Sequence, residues 1–368
     1  MATALEDFCG AVRGKFKGDL IRHDNPEFAE ASRIWNAMVA RTPGAIARCA
    51  DVADVGLIVR HAREAGILTA VRCGGHSLAG FGSCDGGLVI DLSRLRGVQV
   101  DAGSRYAKFA GGCLLGNVDR AARKFVLPPE RHLIRVLQEW REFMPAAPDG
   151  LKWNISLVRA SNDDRVPEEI RGKPALSSSI VWFGDEATGQ RHTNRIFSVG
   201  RHVGRSMKTI SYLTLQTMAD SDFPHGRRYY TKSGYFAEFT DSVIEIMVQA
   251  LAGIPSQNTQ IELAYLGGAA GRVSASETAF GDRSAPFILN LLADWKDPAD
   301  DAANVSWVRS LFNSLRPHMR PGVYVNFMSG DEQERVPEAY QDRWQRLLKV
   351  KTQYDPSNFF RLNQNIAP

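Results

Sequence analysis

The chain has 368 residues, of which 44% are hydrophobic, so it can bury a large core and is expected to form two domains. Its formal net charge of +4 is mild, and the scattered basic residues form no stripe of the kind that binds nucleic acid. No apolar run approaches the length of a membrane span, and no basic segment followed by an apolar core opens the chain. We therefore expect a cytoplasmic protein without nucleic-acid or membrane partners.

Residues 1–42 are predicted to be mostly helical, and a β-α-β unit follows them. Residues 45–49 form its first predicted strand, Asp51 is a good N-cap for its helix, and Gly66 ends that helix. Residues 68–71 are then expected to form a buried strand, which delivers a glycine-rich loop at its end.

That loop reads Arg72-Cys73-Gly74-Gly75-His76-Ser77, and Gly80 follows it closely. Glycine has no Cβ, so the backbone at Gly74 and Gly75 can take a positive φ and let a ligand approach its amides. Successive amides in such a turn form a concave anion site. The loop therefore favours a phosphate-bearing ligand with the imidazole of His76 beside it, although short glycine motifs also occur in plain turns.

The rest of the chain predicts an α+β fold in which a sheet is layered with helices. Residues 87–92 form a further strand, and residues 98–101 and 105–110 form a hairpin. The later predicted helices span residues 130–143, 241–252 and 300–315, and the later predicted strands span residues 153–158, 179–183, 260–265 and 286–293. We expect the sheet of this second part to be antiparallel.

Several motifs resemble the FAD-binding domain of the vanillyl-alcohol-oxidase and berberine-bridge-enzyme superfamily (PCMH type). They are Pro43-Gly44-Ala45-Ile46, the glycine-rich loop, residues 85–93 and Gly111-Gly112. Residues 351–366 resemble the terminal signature of the berberine-bridge type, and residues 223–234, 267–273, 278–283 and 322–327 follow the order of the family between them. The resemblance therefore covers nearly the whole chain.

The resemblance implies that the loop wraps the FAD pyrophosphate and that His76 is the candidate for a covalent link to the flavin. The cofactor-binding residues that it implies are Arg72, Cys73, Gly74, Gly75, His76, Ser77, Gly80, Asn326, Asn363 and Asn365. The amides near the C-terminus would hydrogen-bond the polar ring edge of the flavin, behind a turn that Asp355-Pro356 is expected to pin after the last helix.

Tyr324 is the first candidate for the group that accepts the proton of the donor. It is predicted to lie on a short apolar strand, where Asn326 two residues later shares its face. The alternative is an ordinary half-buried strand tyrosine. Glu262 and Tyr265 are weaker candidates for the base.

Arg272 occupies the position at which plant members of the family carry an acidic base, which argues against plant alkaloid chemistry. This arginine would either hold a substrate oxyanion or pair with Asp282.

One departure from the family concerns the middle of the FAD-binding domain. Residues 117–121 match the helix that follows the first glycine-loop region, yet residues 125–131 already resemble the approach to the substrate domain. Family members carry between these points a large segment with two further glycine-rich stretches. We therefore expect an internal deletion that leaves the FAD-binding domain incomplete.

These considerations predict a domain organisation and a function. The expected parts are an N-terminal helical segment over residues 1–42, a partial FAD-binding domain over 43–124, a substrate domain over 125–330 and a C-terminal segment over 331–368 that returns to the FAD-binding domain. The expected activity is FAD-dependent oxidation of a small alcohol, sugar or secondary metabolite by hydride transfer to the flavin. The alternative is a non-catalytic or cofactor-poor remnant of that fold that acts as a binding or scaffold protein.

Two other kinds of chemistry are not expected. No Gly-x-Gly-x-x-Gly opens a helix after a first strand, which excludes an NAD-type dehydrogenase. The five cysteines are odd in number and form no Cys-x-x-Cys pair, so neither a metal site nor a disulfide framework is predicted.

Overall fold

A computed structural model describes most of the chain. The described residues are 2–101, 106–111, 125–127, 130–162, 166, 168–199, 209–210, 212–217, 220, 222–281 and 283–368. The predictions that concern Gly112, residues 117–121 and Asp282 lie outside these residues. The chain divides into two compact units. Unit 1 comprises Met1–Arg120, Ala219–Arg227 and Gln345–Pro368, and unit 2 comprises Ala121–Met218 and Arg228–Trp344.

The elements run in chain order as follows: α1 (Ala2–Val12), β1 (Asp19–Ile21), α2 (Phe28–Ala31), β2 (Ala45–Arg48), α3 (Val52–Glu64), β3 (Thr69–Arg72), β4 (Leu88–Asp91), β5 (Val98–Asp101), β6 (Tyr106–Phe109), β7 (Phe125–Leu127), α4 (Glu130–Phe143), β8 (Leu151–Arg159), β9 (Pro174–Trp182), α5 (Glu186–Phe197), α6 (Tyr212–Thr217), β10 (Arg228–Phe236), α7 (Asp241–Ala250), β11 (Gln260–Tyr265), α8 (Gly268–Gly271), β12 (Phe287–Trp295), α9 (Asp301–Leu315), α10 (Val336–Tyr340) and α11 (Trp344–Tyr354).

Unit 1 contains the β-α-β unit that the sequence predicts. The Asp51 side chain caps α3 by accepting a hydrogen bond from the Asp54 amide at 2.9 Å, and Gly66 follows the helix with a φ of +63°. Strands β2 and β3 both pair with β4 in parallel, and β1 pairs with β2 antiparallel, which gives the order β1-β2-β4-β3. Ile58 and Ala62 of α3 are fully buried and belong to the core on one face of this sheet.

Two features of unit 1 differ from the prediction. Strand β3 is an edge strand with one neighbour, and the Val71 side chain is 41% exposed instead of buried. The first 42 residues hold fewer helical residues than predicted. Helix α1 ends at Val12, where Gly14 takes a φ of +74°, and Asp19–Ile21 joins the sheet as β1.

Unit 2 is built on a six-stranded antiparallel sheet of order β10-β12-β11-β8-β9-β7. One face of the sheet is apolar and carries the core. It includes Trp153, Phe236, Phe287, Leu289 and Leu291, which are buried together with Trp140 of α4. Helix α7 packs on α4 and α9, and α4 and α9 pack on this sheet. The predicted α+β arrangement with an antiparallel sheet is therefore confirmed.

The helical region before the C-terminal turn is not one continuous helix. It is divided into α10 and α11, because Gln341 between them has a φ of +46°, which interrupts the helical backbone. Among the described residues no helix is both long and apolar enough to cross a membrane, and none of their His, Cys, Asp and Glu side chains cluster in threes to hold a metal ion.

Candidate functional site

The glycine-rich loop follows the end of β3 and contains two residues with a left-handed backbone conformation. Gly75 has a φ of +71° and Gly80 a φ of +72°, values that residues with a side chain rarely adopt. A Cβ added to Gly80 would lie 2.4 Å from Cγ1 of Val39, so this position also requires glycine for space. Between them the Ser77 hydroxyl accepts a hydrogen bond from the Phe81 amide at 3.1 Å, which closes the turn. The loop is therefore a fixed structure.

Arg72, at the start of this loop, is buried and holds three segments together. Its guanidinium donates to the Ala31 carbonyl at 2.7 Å and to a carboxylate oxygen of Asp91 at 2.8 Å. Burial by itself raises the pKa of Asp91, but hydrogen bonds from Ser93 and Arg72 outweigh it and lower that pKa below its usual value. Both partners are almost fully buried, so this ion pair fixes β3 to β4 and to the end of α2.

A cavity of about 360 Å³ lies against the loop in unit 1. It is lined by Glu27, Glu30, Ala31, Arg33, Arg48, Arg72, Cys73, Gly74, Gly75 and Asp91. Its charged side chains pair with one another: Arg33 with Glu30 at 2.6 Å, Arg48 with Glu27 at 3.0 Å, and Arg72 with Asp91. Three arginines therefore face three carboxylates, and the lining carries no formal net charge.

His76 lies beside Trp35 and His225. The ring centroids of His76 and Trp35 are 5.7 Å apart, and those of His76 and His225 are 5.0 Å apart in an edge-to-face arrangement. The His76 side chain is exposed to solvent, yet surrounding atoms displace part of its water and lower the pKa of the imidazole. The charge of His225 lowers this pKa further, while Asp220 opposes the shift.

Trp35 joins the loop to the segment that contains His225. The Trp35 amide donates to the Gly75 carbonyl at 3.0 Å, its indole Nε1 donates to the Phe223 carbonyl at 2.9 Å, and its carbonyl accepts from Gly226 at 3.1 Å. Sequence reasoning missed both Trp35 and His225 as members of the site. Nothing in the local pattern links two segments that are almost 190 residues apart along the chain.

The C-terminal turn has the pinned geometry that was predicted. The Asp355 carboxylate accepts hydrogen bonds from the amides of Phe359 and Phe360 at 2.8 and 3.0 Å, and Lys351 bonds this carboxylate at 2.6 Å. Asn363 is exposed and donates to the Phe360 carbonyl at 3.1 Å. The Oδ1 atom of Asn365 is buried and has no hydrogen-bond partner among the described residues. Asn365 therefore keeps an acceptor available in unit 1.

Tyr324 lies in unit 2 and not on the predicted strand, so that prediction is wrong. Residues Val325–Phe327 form a single 3-10 turn, because the carbonyl of Tyr324 accepts from the Phe327 amide at 2.9 Å. The turn nevertheless brings the predicted pair together. The side-chain amide of Asn326 donates to the Tyr324 hydroxyl at 2.8 Å, and the tyrosine ring packs edge-to-face on Phe327.

The weaker candidates have other partners. Glu262 accepts a hydrogen bond from the side-chain amide of Asn290 at 2.6 Å. Burial raises the pKa of Tyr265. Arg272 forms a two-point ion pair with Asp149, one bond of which is 3.0 Å long. The predicted pairing with Asp282 lies outside the described residues.

A row of polar side chains crosses the second face of the unit 2 sheet. The strand register places these residues side by side: Ser233 of β10, Asn290 of β12, Glu262 of β11, Ser156 of β8 and Ser177 of β9. The Oγ atom of Ser233 and the Oδ1 atom of Asn290 are buried without a hydrogen-bond partner among the described residues. Sequence reasoning named only Glu262 from this row, because only the sheet register brings the other four residues beside it.

Known proteins resemble this chain over both units. The family model of an FAD binding domain matches residues 43–134, and the berberine and berberine-like model matches residues 323–367. An uncharacterised FAD-linked oxidoreductase of Bacillus subtilis is 25% identical over 447 aligned positions, which cover 96% of this chain and 98% of the relative.

Solved structures show the same fold. The crystal structure of 6-hydroxy-D-nicotine oxidase from Arthrobacter nicotinovorans matches with a TM-score of 0.82 at 19% identity, and it covers 96% of this chain and 98% of that chain. A chitooligosaccharide oxidase matches with a TM-score of 0.79 at 16% identity, over 99% of both chains. These likenesses confirm the predicted fold class, a PCMH-type FAD-binding domain with a second domain built on an antiparallel sheet.

The alignment with the Bacillus relative also bears on the predicted deletion. It runs over 447 positions, whereas this chain has 368 residues, so at least 79 positions have no residue from this chain. Both proteins are covered almost completely, so unmatched ends do not account for the difference. This supports the prediction that an internal segment of the family is absent here.

Proposed function

Because this chain belongs to the superfamily of FAD-linked oxidoreductases that contains the berberine-bridge type, we propose that it oxidises a small hydroxylated donor by hydride transfer to FAD. The donor class is an alcohol, a sugar or a secondary metabolite, as expected from the sequence. A sugar is compatible with the likeness to one structural neighbour, a chitooligosaccharide oxidase. No metal, nucleic acid or membrane takes part in this proposal.

The residues of unit 1 fit part of FAD. The fixed glycine-rich loop presents its backbone at a cavity of about 360 Å³, which suits phosphate groups that bind to amides. The unpaired Oδ1 acceptor of Asn365 suits an N–H of the flavin ring edge. FAD, when bound, supplies the acceptor for the hydride of the donor. We propose Arg72, Gly75, His76 and Asn365 among the residues that hold it.

The proposal depends most on the polar row of unit 2. A buried polar atom without a partner costs about 1–3 kcal/mol, so evolution rarely keeps it without a use. Ser233 and Asn290 present two such atoms next to each other on neighbouring strands. A donor with hydroxyl groups supplies both the hydrogen and the lone pair that these atoms lack. This supports a hydroxylated donor over an apolar one.

Tyr324 is proposed as the proton acceptor of the reaction. Its hydroxyl is fixed by the hydrogen bond from Asn326 and its ring by contact with Phe327. In its phenolate form, a positioned tyrosine takes the proton of the donor hydroxyl while the hydride leaves the carbon that bears this hydroxyl. Tyr324→Phe keeps the ring and removes the acceptor, so this variant should slow flavin reduction without weakening donor binding.

A second candidate function is favoured by one specific observation. At least 79 aligned positions of the Bacillus relative have no counterpart in this chain. A chain that has lost this much of the family fold can persist as a cofactor-poor binding or scaffold protein. It would then retain the polar row of unit 2 and bind the donor without turning it over.

Anaerobic flavin reduction separates the two functions. The purified chain is saturated with FAD and mixed with a panel of aliphatic alcohols, mono- and oligosaccharides and phenolic alcohols, and the absorbance near 450 nm is followed. We expect one class to bleach the flavin, and Asn290→Leu to slow bleaching at least about tenfold. The matched control is Asn194→Leu, the same change on the exposed surface of α5.

If Asn290→Leu and Asn194→Leu change the rate of flavin bleaching equally, the assignment of the donor to the polar row is wrong. If calorimetry detects binding of a donor that does not bleach the flavin, the result favours the second function, a binding or scaffold protein.

A further inference from the structure

Tyr324 lies in a segment that is fastened along the free edge of the unit 2 sheet. Strand β10 is the last strand of that sheet, yet its Tyr235 carbonyl accepts from the Arg320 amide at 2.9 Å. On the other side of Tyr324, the Thr231 hydroxyl donates to the Phe327 carbonyl at 2.6 Å. The turn that carries the proposed proton acceptor is therefore held at both of its ends.

Arg335 links this segment to the sheet. Its guanidinium donates to a carboxylate oxygen of Glu332 at 2.6 Å, to the Ser233 carbonyl of β10 at 3.3 Å and to the Gly322 carbonyl at 3.2 Å. Its Nε also donates to Glu338 at 3.2 Å. Gly322 precedes the tyrosine by two residues, so one planar cation connects the backbone beside the tyrosine with the backbone of the polar row.

Glu332 keeps Arg335 in this position. The Glu332 side chain is fully buried, and its carboxylate also contacts the Lys232 ammonium at 3.1 Å and accepts from the Ser329 amide at 3.0 Å. A buried carboxylate needs such partners, because an isolated charge is costly to bury. The planar guanidinium supplies several donors in fixed directions, which the single ammonium of a lysine at the same place does not.

We propose that Arg335, held by Glu332, is a positioning residue that sets the place of the Tyr324 hydroxyl. This inference rests on the proposed function only in giving Tyr324 its chemical role. The hydrogen bonds from Arg335 to the Gly322 and Ser233 carbonyls give it this positioning role. Arg335 acts through the backbone and touches neither donor nor cofactor in this account.

The test follows the Tyr324 ring directly and needs no flavin. The chain is labelled with 3-fluorotyrosine, and the fluorine NMR signal that disappears in Tyr324→Phe is assigned to Tyr324. We expect Arg335→Lys to move or broaden this signal while circular dichroism shows a folded chain. The matched control is Arg309→Lys. It alters the exposed ion pair between Arg309 of α9 and Asp331, which lies on the same segment as Tyr324, and it should leave the Tyr324 signal in place.

An unchanged Tyr324 signal in folded Arg335→Lys would overturn the proposal. If that variant does not fold, Glu332→Gln replaces it, since it removes the charge that holds Arg335 and keeps the shape. A moved signal in Glu332→Gln supports the proposal, and an unchanged signal overturns it.

A second measurement separates this inference from the proposed function. In the FAD-loaded chain, Arg335→Lys should lower kcat at least about tenfold with little change in KM. If Tyr324→Phe leaves flavin reduction unchanged while Arg335→Lys still moves the fluorine signal, the proton-acceptor role fails and the positioning role stands.

Discussion

The imidazoles of His76 and His225 meet edge to face, with ring centroids 5.0 Å apart, although the two residues are 149 positions apart in the chain. The segment that carries His225 is fixed to the glycine-rich loop through Trp35. Partial burial and then the charge of His225 lower the pKa of His76 from its usual 6.5. His76 therefore stays neutral to a lower pH than an ordinary histidine does.

Replacing His225 should raise the pKa of His76. His225→Gln removes a neighbouring positive charge, whereas Asp220→Asn removes a negative one and should lower the same pKa. The two variants should therefore shift the His76 pKa in opposite directions. NMR titration of the His76 ring protons measures this pKa in each variant. Equal pKa values in the wild type and His225→Gln would show that the contact has no electrostatic effect.

Stability should follow the same shift. The folded pKa of His76 lies below its unfolded value, so the unfolded chain binds more protons as the pH falls through that range. His76 therefore makes the folded chain less stable on acidification, and His76→Gln should flatten that part of the pH dependence of the free energy of unfolding. Urea melts between pH 5 and 7 give the free energy of unfolding at each pH. If this free energy falls with acidification equally in the wild type and in His76→Gln, the prediction is wrong.

The buried pair of Arg72 and Asp91 should contribute strongly to stability. Asp91→Asn leaves the guanidinium buried without its counter-charge, a change that typically costs about 3–5 kcal/mol. Arg33→Gln breaks the exposed pair with Glu30 and should cost only about 0–1 kcal/mol. The Asp91 pKa is lowered in the folded chain, so its stabilising effect is lost as the pH falls through the folded value. Similar losses in the two variants would refute the structural role.

Gly80→Ala should destabilise the loop more than Gly86→Ala. Both glycines have positive φ, which costs an alanine about 1–3 kcal/mol. At Gly86 nothing lies within 4 Å of the added Cβ, whereas at Gly80 the Cγ1 atom of Val39 lies only 2.4 Å away. Urea unfolding of both variants gives the difference, and equal losses would mean that Val39 moves aside freely.

Covalent attachment of the flavin should depend on His76. The FAD-loaded chain is precipitated with acid, and flavin is measured in the pellet and in the supernatant. We expect flavin in the pellet for the wild type, and His76→Ala should move it to the supernatant. Free flavin from the wild type would exclude the covalent link and leave non-covalent binding in place.

The parts of the fold that depend on local patterns were predictable from the sequence. Helix α4 begins and ends where its apolar spacing predicts, and Asp51 and Gly66 bound α3 as expected. The break at Gln341 was not predictable, because an apolar face continues on both sides of it and only the backbone reveals the interruption.

The candidate site was predictable where it is contiguous in sequence and not where it is assembled by folding. The loop from Arg72 to Gly80 was predicted from its glycines together with the apolar run before it and the family resemblance. The polar row draws one residue from each of five strands, and its members are ordinary serines, an asparagine and a glutamate until the register aligns them. Tyr324 and Asn326 do meet, but through a turn and a hydrogen bond instead of a strand face.

The absent segment should weaken FAD binding without abolishing it. A hydrogen bond to a charged group contributes about 1.5–3 kcal/mol, and about 1.4 kcal/mol corresponds to a tenfold change in affinity. If the absent positions include three amides that bond the cofactor, their loss lowers the affinity by several powers of ten. The loop, the cavity and Asn365 remain to supply the rest.

Titration of the apo-protein with FAD, followed by flavin fluorescence, tests the central claim most directly. We predict saturable binding of one FAD per chain, with a Kd weaker than micromolar, which Gly80→Val abolishes by blocking the loop. No saturation at any accessible FAD concentration would contradict the claim that this shortened chain is a flavoprotein, and micromolar or tighter binding would contradict the claim that the absent segment weakens its cofactor site.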